Sequence, residues 1–271
     1  MPILTTPRGP LCYEVVDAVA PWQRESPPTI LFNHGIAADL GLWADWLGPL
    51  CSKFRLVRFD LRGFGRSTPA SDAAAWSFDA LAQDVIDVAA AAGAQRFHFV
   101  GESIGGSVGL FLALARPDAV LSVTCCNAAA RGGSVRNVGG WGDIAAREGM
   151  DGWARQMMRW RFYPDNLDAA RYAWFERTHR VSDLGACEHL VRVLQNLDLT
   201  ARLGQITQPT LLLCPDSSPF VTLDEMRAIH AAIPNSELQV FAHTKHGLPL
   251  ARAEDCARLL DDFIARRCAA T

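Results

Sequence analysis

The chain has 271 residues, of which 49% are hydrophobic and 20% charged, and its formal net charge is −3. This length and composition fit one α/β domain with an insertion, and they exclude an extensively disordered chain. No basic excess is available to hold a phosphate backbone, so we expect no nucleic-acid partner. Because residues 1–10 lack a signal-peptide pattern and no run of 18 apolar residues occurs, the sequence predicts a cytoplasmic protein without membrane contact.

Short apolar runs alternate with longer amphipathic stretches, which predicts a mostly parallel twisted sheet flanked by helices. The predicted strands, in chain order, are Leu11–Val16, Thr29–Phe32, Arg55–Phe59, Arg96–Val100, Leu121–Cys126, Thr210–Cys214 and Leu238–Phe241. The predicted helices between and after them are Leu42–Ser52, Phe78–Ala92, Gly105–Ala115, Leu223–Ile233 and Ala253–Arg267.

The alternation stops once, between Ala130 and Ile206, where only helical windows occur. We therefore expect a core formed by residues 1–130 and 204–271, and a helical lid formed by residues 131–203. Four of the eight tryptophans fall in this lid, and three of them are predicted to contact the substrate: Trp141, Trp153 and Trp160. Trp153 and Trp160 are seven residues apart and share a helix face, which either lines the pocket or packs the lid onto the core.

The most specific signal is the G-x-S-x-G motif at residues 101–105, which follows a predicted strand and begins a predicted helix. The serine of such a motif occupies a strained turn, and the two glycines avoid collisions with the neighbouring chain. This context predicts that Ser103 is a nucleophile. A serine hydroxyl becomes reactive only when a base takes its proton.

Among the seven histidines, His246 lies in the position expected of that base, because it follows the last predicted strand and precedes the last helix. Backbone N–H groups of Ile36, after His34-Gly35, and of Ile104, after the serine, are predicted to stabilise an oxyanion. His243 and His246 form an H-x-x-H pair without a third ligand nearby, so no metal is expected. The eight scattered cysteines contain no C-x-x-C pair and are predicted to be reduced.

These segments, in order and along the whole chain, resemble the α/β-hydrolase family: His34-Gly35, residues 59–67, residues 101–106 and Lys245-His246-Gly247. Within that family, residues 148–153, 159–160, 198–199 and 206–211 resemble the 3-oxoadipate enol-lactone hydrolases. The resemblance implies the α/β-hydrolase fold and a carboxylic ester or lactone hydrolase. Such an enzyme acts on a small-molecule substrate through an acyl-enzyme and needs no cofactor.

The sequence departs from the family at the acidic residue that orients the histidine. By register this position belongs to Ser218, which carries no charge. Asp216, two residues earlier, is our first prediction for the acid. Asn127, at the end of a predicted strand, is an uncharged alternative, as is a group that acts through a bridging water. A serine–histidine dyad without an orienting group is another. Loss of the charge lowers efficiency more than it changes the type of reaction.

Three other activities are compatible with the sequence. A carbon–carbon bond hydrolase acting on ring-fission products would use the same serine and histidine, and a cofactor-free oxygenase or haloperoxidase-like activity fits the same scaffold. A non-catalytic ligand-binding protein with a vestigial site is the third.

Asp60 and Arg62 are interpreted as structural. The arginines at 131, 136, 155, 159 and 161 either steer an anionic substrate or lie on solvated helix faces.

Overall fold

A computed structural model describes residues 1–23, 27–67 and 76–268. Within these ranges one sheet of eight strands forms, in the order β1-β2-β4-β3-β5-β6-β7-β8. The strands are β1 (Ile3–Thr6), β2 (Gly9–Val16), β3 (Thr29–Asn33), β4 (Arg55–Phe59), β5 (Phe97–Glu102), β6 (Val120–Cys126), β7 (Thr210–Pro215) and β8 (Ser236–Phe241).

The sheet is parallel from β4 to β8, and only β1 and β2 run antiparallel to their neighbours. Every residue of β3 and β5 is buried. Central strands of a parallel sheet are covered by helices on both faces, which explains why these strands are continuous apolar runs in the sequence.

Helices cover both faces of the sheet, and a separate hydrophobic cluster lies on each face. The helices are α1 (Ala44–Leu50), α2 (Phe78–Ala91), α3 (Ile104–Ala115), α4 (Trp141–Arg161), α5 (Ala169–Arg180), α6 (Leu184–Gln195), α7 (Leu223–Ala232), α8 (Leu248–Ala251) and α9 (Ala253–Arg267). In the described part of the chain, no helix is both long enough and apolar enough to cross a membrane.

Three helices, α4, α5 and α6, are inserted between the neighbouring strands β6 and β7; we call them the helical insertion. Gly149 interrupts α4 with a left-handed φ of 69°, so this element consists of two helical pieces that meet at a kink. Arg131 and Asp198 form a β-bridge close to the two ends of the insertion.

All seven predicted strands and all the predicted helices are present, with ends that differ by a few residues. The α/β-hydrolase prediction of the fold class is confirmed. The strand β1 was not predicted. It is a short edge strand that pairs with β2, and only one of its four residues is buried, so it lacks the apolar run by which the other strands are recognised.

Candidate active site

Ser103 lies in the tight turn between β5 and α3, with φ 55° and ψ −123°. This left-handed conformation is costly for any residue with a side chain, so the surrounding packing must impose it. A Cβ atom on Gly101 would lie 2.3 Å from the carbonyl oxygen of Gly105, and one on Gly105 would lie 2.3 Å from the carbonyl oxygen of Asn33. The two motif glycines therefore permit the close backbone contacts that hold Ser103 in this turn.

Ser103 and His246 line the same small pocket beneath the helical insertion. Its volume is about 20 Å³, which is room for roughly one water molecule. The other lining residues are Ile36, Ser107, Ala129, Val135, Val138, Trp141, Arg161, Leu194, Phe220 and Val221. Most of these side chains are apolar, so a substrate would enter a largely hydrophobic space, and the surrounding chain must move to admit it.

Two backbone N–H groups next to this pocket have no hydrogen-bond acceptor among the described residues, those of Ile36 and Ile104. Ile104 is the first residue of α3, where the helix dipole presents its positive end. The carbonyl oxygen of Ile36 accepts a hydrogen bond from Arg161 Nη2 at 3.0 Å, which fixes the loop that carries this residue. Both predicted oxyanion donors are thus free to bind an oxyanion.

His246 is buried, and its Nδ1 atom faces an amide and a hydroxyl instead of a carboxylate. Nδ1 contacts the side-chain nitrogen of Asn127 and lies 3.2 Å from Ser218 Oγ. The Asn127 amide also donates to Ser218 Oγ at 2.8 Å. Asn127 Oδ1 is buried without a partner among the described residues. Rotation of this amide by 180° would bring the oxygen against Nδ1, where it could accept the Nδ1 proton.

Asp216 occupies a different place from the one that we predicted. Its exposed carboxylate accepts backbone N–H groups of His243 at 2.9 Å and Thr244 at 3.1 Å. The backbone N–H of Asp216 donates to Phe241 at 3.0 Å, which continues the pairing of β7 with β8 and directs the side chain toward the loop before His246. Asp216 therefore shapes that loop, and we replace it by Asn127 as the group proposed to orient His246.

A buried charged pair flanks the other side of the His246 ring. Nε2 lies 3.3 Å from Glu102 Oε1, and Arg161 Nη1 lies 3.5 Å from the same oxygen. Burial raises the pKa of Glu102 to about 7, although the Arg161 guanidinium opposes this shift. Burial, assisted by the Arg161 charge, lowers the pKa of His246 well below its usual value. His246 is therefore neutral at neutral pH and able to accept a proton.

Comparison of the sequence with known families places the chain in one of them. The family model of the α/β hydrolase fold matches residues 28–252, which is most of the chain. The chain belongs to the α/β-hydrolase fold family. The family and the names of its relatives support an enzyme that hydrolyses esters or related bonds.

Two curated relatives of this α/β hydrolase carry different names. "Putative carbamate hydrolase RutD" from Pseudomonas savastanoi pv. phaseolicola is 28% identical over 254 residues, covering 89% of this chain and 95% of the relative. "3-oxoadipate enol-lactonase 1" from Acinetobacter baylyi is 26% identical over 221 residues, covering 80% and 81%. The crystal structure of the enol-lactonase from Burkholderia xenovorans LB400 superposes with a TM-score of 0.85 at 23% identity, over 97% of this chain and 100% of that one. This last similarity establishes the fold alone.

The three predicted tryptophans of this α/β hydrolase take different positions. Trp141 lines the pocket. Trp153 is fully buried and packs edge-on against Trp141, with ring centroids 5.8 Å apart. Trp160 packs against Phe220 at 5.7 Å and does not line the pocket. Trp153 and Trp160 therefore support the pocket wall from behind.

Sequence reasoning missed two further residues of the site. Phe220 packs edge-on against the His246 ring at 4.6 Å, and nothing in its sequence context distinguishes it from an ordinary core residue. Glu102 did carry a signal, since a carboxylate inside a fully buried strand is rare unless it is paired. Of the arginines at 131, 136, 155, 159 and 161, Arg161 is the one that lines the pocket.

Asp60 and Arg62 have the structural roles that we predicted. The Asp60 carboxylate accepts backbone N–H groups of Leu40 at 2.7 Å and Arg66 at 2.8 Å, while Arg62 pairs with buried Asp84. Across the described ranges, no three His, Cys, Asp or Glu side chains are grouped so that they could hold a metal ion.

Proposed function

We propose that this protein hydrolyses a small ester or lactone through a covalent acyl-enzyme on Ser103. The observation that carries the proposal is the strained Ser103 turn, which opens into the pocket that Ser103 shares with His246. Holding a serine in that conformation costs conformational free energy, and such backbone strain is concentrated at functional sites. The two unpaired N–H groups beside it add the oxyanion donors that acyl transfer requires besides a nucleophile and a base.

The reaction has two halves, and in each half His246 takes up one proton and gives one back. Ser103 Oγ attacks the carbonyl carbon while His246 Nε2 takes the hydroxyl proton, and the N–H groups of Ile36 and Ile104 stabilise the oxyanion. The imidazolium then gives its proton to the leaving oxygen. In the second half His246 takes a proton from the water that attacks the acyl carbon, the bond from that carbon to Ser103 Oγ breaks, and the imidazolium returns the proton to Ser103 Oγ.

Orientation of His246 falls to Asn127 in this proposal. For Nε2 to act as a base, Nδ1 must carry the ring proton and donate it. Asn127 supplies the acceptor when its amide oxygen faces Nδ1, and Ser218 lies close enough to that ring atom to assist. An amide orients the ring but adds no charge, so the imidazolium needs a negative group from elsewhere.

We further propose that residues 131–203 act as a lid over a core of residues 1–130 and 204–271. Helices of this segment supply Trp141, Arg161 and Leu194 to the pocket. The enol-lactonase relative suggests a lactone, and the small apolar pocket agrees with a compact acyl group. Hydrolysis of a carbamate is the second candidate, because the RutD relative matches a larger share of the chain.

The test is covalent labelling of Ser103 by a fluorophosphonate, followed by intact-mass measurement and a panel of esters, lactones and carbamates. We expect one adduct on the wild-type protein and none on Ser103→Ala. Ser52→Ala is the control, because Ser52 is exposed and far along the chain from the site. An undiminished adduct on Ser103→Ala would refute the proposal. Failure of the wild-type protein to react with any probe would favour a non-catalytic binding protein.

A further inference from the structure

Glu102 immediately precedes the nucleophile, and the serine mechanism proposed above gives it no part. Its carboxylate is almost completely buried at the end of β5. It also lies against the loop that carries Ile36, since a Cβ atom on Gly35 would be 2.1 Å from Glu102 Oε2. Burial of a carboxylate costs free energy unless charged or hydrogen-bonding partners offset its desolvation, so its presence here calls for an explanation.

The position of Glu102 relative to the His246 ring suggests that the carboxylate acts on this imidazole. Glu102 Oε1 lies 3.3 Å from Nε2, within ion-pair distance, but no hydrogen bond joins these two atoms in the described structure. Each ring nitrogen makes a single directed hydrogen bond. The lone pair of Nε2 therefore stays available for the Ser103 proton, while the carboxylate charge lies beside the same nitrogen.

Resting on the proposed serine mechanism, we propose that Glu102 is the positioning residue whose negative charge stabilises the His246 imidazolium. When Ser103 Oγ bonds to the acyl carbon, its proton moves to Nε2 and the ring becomes positive next to Glu102. The proton leaves again with the departing oxygen, so Glu102 keeps its charge throughout. Glu102 thus replaces the carboxylate that the loop after β7 does not bring to Nδ1.

Arg161 is the partner that favours the ionised form of Glu102 against the effect of burial. Its guanidinium is buried, lies 3.5 Å from Glu102 Oε1 and donates to the carbonyl oxygen of Ile36. The other titratable groups around this pair are neutral near pH 7, because burial raises the pKa of the thiols and lowers that of the imidazoles. They are His34, Cys126, His179 and Cys187.

The first readout is the pH dependence of kcat/KM for the wild-type protein and for Glu102→Gln. Since the pKa of Glu102 is raised to about 7, we expect the wild-type rate to rise through neutral pH as this carboxylate ionises. Glu102→Gln should lower kcat at pH 8 by at least about tenfold, leave KM nearly unchanged and remove that rise. Glu254→Gln is the control, because Glu254 pairs with Arg258 at the surface.

The second readout is rescue by a carboxylate on the opposite side of the ring. Adding Asn127→Asp to Glu102→Gln should recover most of the lost kcat, because the charge is again next to the imidazole. If Glu102 only braces Arg161, Asn127→Asp should raise kcat by the same factor in the wild-type and Glu102→Gln backgrounds, and the pH profile of Glu102→Gln should be unchanged. The proposed role predicts a larger factor in the Glu102→Gln background. Wild-type kcat and pH profile in Glu102→Gln would overturn the assignment, as would failure of the rescue in a folded double variant.

A direct titration separates this proposal from the proposed function. The protonation midpoint of His246, followed by NMR of the labelled ring, should fall when Glu102 is replaced by Gln. If the wild-type protein formed no adduct with a fluorophosphonate, the serine mechanism would fail, whereas the titration would still report on Glu102. An unchanged His246 midpoint would overturn the assignment of Glu102 in either case.

Discussion

Replacement of Asn127 by Asp is the most direct perturbation of this site, because it exchanges an amide for a carboxylate of the same shape. Asn127 has a φ of 55°, a conformation that Asp tolerates as well as Asn. Its side chain contacts His246 Nδ1 and lies 2.8 Å from Ser218 Oγ. The new carboxylate would accept the Nδ1 proton and a hydrogen bond from the Ser218 hydroxyl.

The expected gain follows from two opposing effects. Unit charges about 4 Å apart attract by about 4 kcal/mol at an effective dielectric constant near 20. Asn127 is fully buried, so the new charge also carries a desolvation cost of several kcal/mol. In a serine protease the reverse change, from Asp to Asn, costs about 10⁴ in kcat. Since Glu102 already provides a charge here, we expect Asn127→Asp to raise kcat by about 10- to 100-fold, or about 1.4–2.7 kcal/mol.

Steady-state kinetics on a p-nitrophenyl ester would measure this change. Asn196→Asp is the matched control, because it adds the same charge at an exposed position at the end of α6. Asp216→Asn tests the residue that the sequence favoured. Its carboxylate binds the backbone of His243 and Thr244 and not the His246 ring, so we expect kcat to fall by less than about tenfold.

A folded Asn127→Asp protein whose kcat equals or falls below that of the wild type would refute the expected stabilisation of the imidazolium by a carboxylate at Nδ1. Thermal melting within a few degrees of the wild type would establish that the variant is folded. A loss of kcat beyond about 10²-fold in Asp216→Asn would contradict the assignment of Asn127, since that result would return the orienting role to Asp216.

Two further predictions concern the pocket wall and stability. Trp141→Ala should shift the preference of the enzyme toward longer acyl chains, because Trp141 lines the pocket. Trp153→Ala should leave that preference unchanged and lower the free energy of unfolding in urea by about 3–5 kcal/mol, because Trp153 is wholly buried. Burial lowers the pKa of His34 to about 4 and that of His179 to about 3, so below pH 6.5 the unfolded chain binds more protons than the folded one. The free energy of unfolding should therefore fall between pH 6.5 and 4, despite an opposite contribution from Glu102, and a flat profile would contradict this expectation.

Sequence reasoning recovered the sheet because buried parallel strands are apolar on both faces, and such runs are easy to recognise. It also located Ser103, because a glycine-flanked serine between a strand and a helix is typical of a nucleophile turn. The sequence favoured Asp216 over Asn127 because Asp216 is a carboxylate in the loop where the acid is expected. Residue type and loop position are visible in the sequence, but the direction of a side chain depends on backbone pairing, here that of Asp216 with Phe241.

The same limit applies to the buried charges of the site. Glu102 lies next to Ser103 in sequence, whereas its partner Arg161 is 59 positions away on a helix of the insertion. A pattern of arginines on amphipathic helices cannot distinguish the one that turns inward from those that face water. Only the tertiary fold, which brings the last residue of α4 next to Glu102 and the Ile36 loop, makes Arg161 a pocket residue.

Arg161 also joins the helical insertion to the rest of the enzyme in a way that restricts recombination between relatives. Its side chain reaches Glu102 and the carbonyl oxygen of Ile36, and its backbone carbonyl accepts the N–H of Gly247 at 2.9 Å. A chimera that took the insertion from a protein without this arginine would leave Glu102 buried without its cationic partner, so the carboxylate would be destabilised and driven to take up a proton. The insertion therefore cannot be exchanged between relatives independently of the sheet. A chimera that is meant to change substrate specificity should receive Glu102 and Arg161 from the same parent.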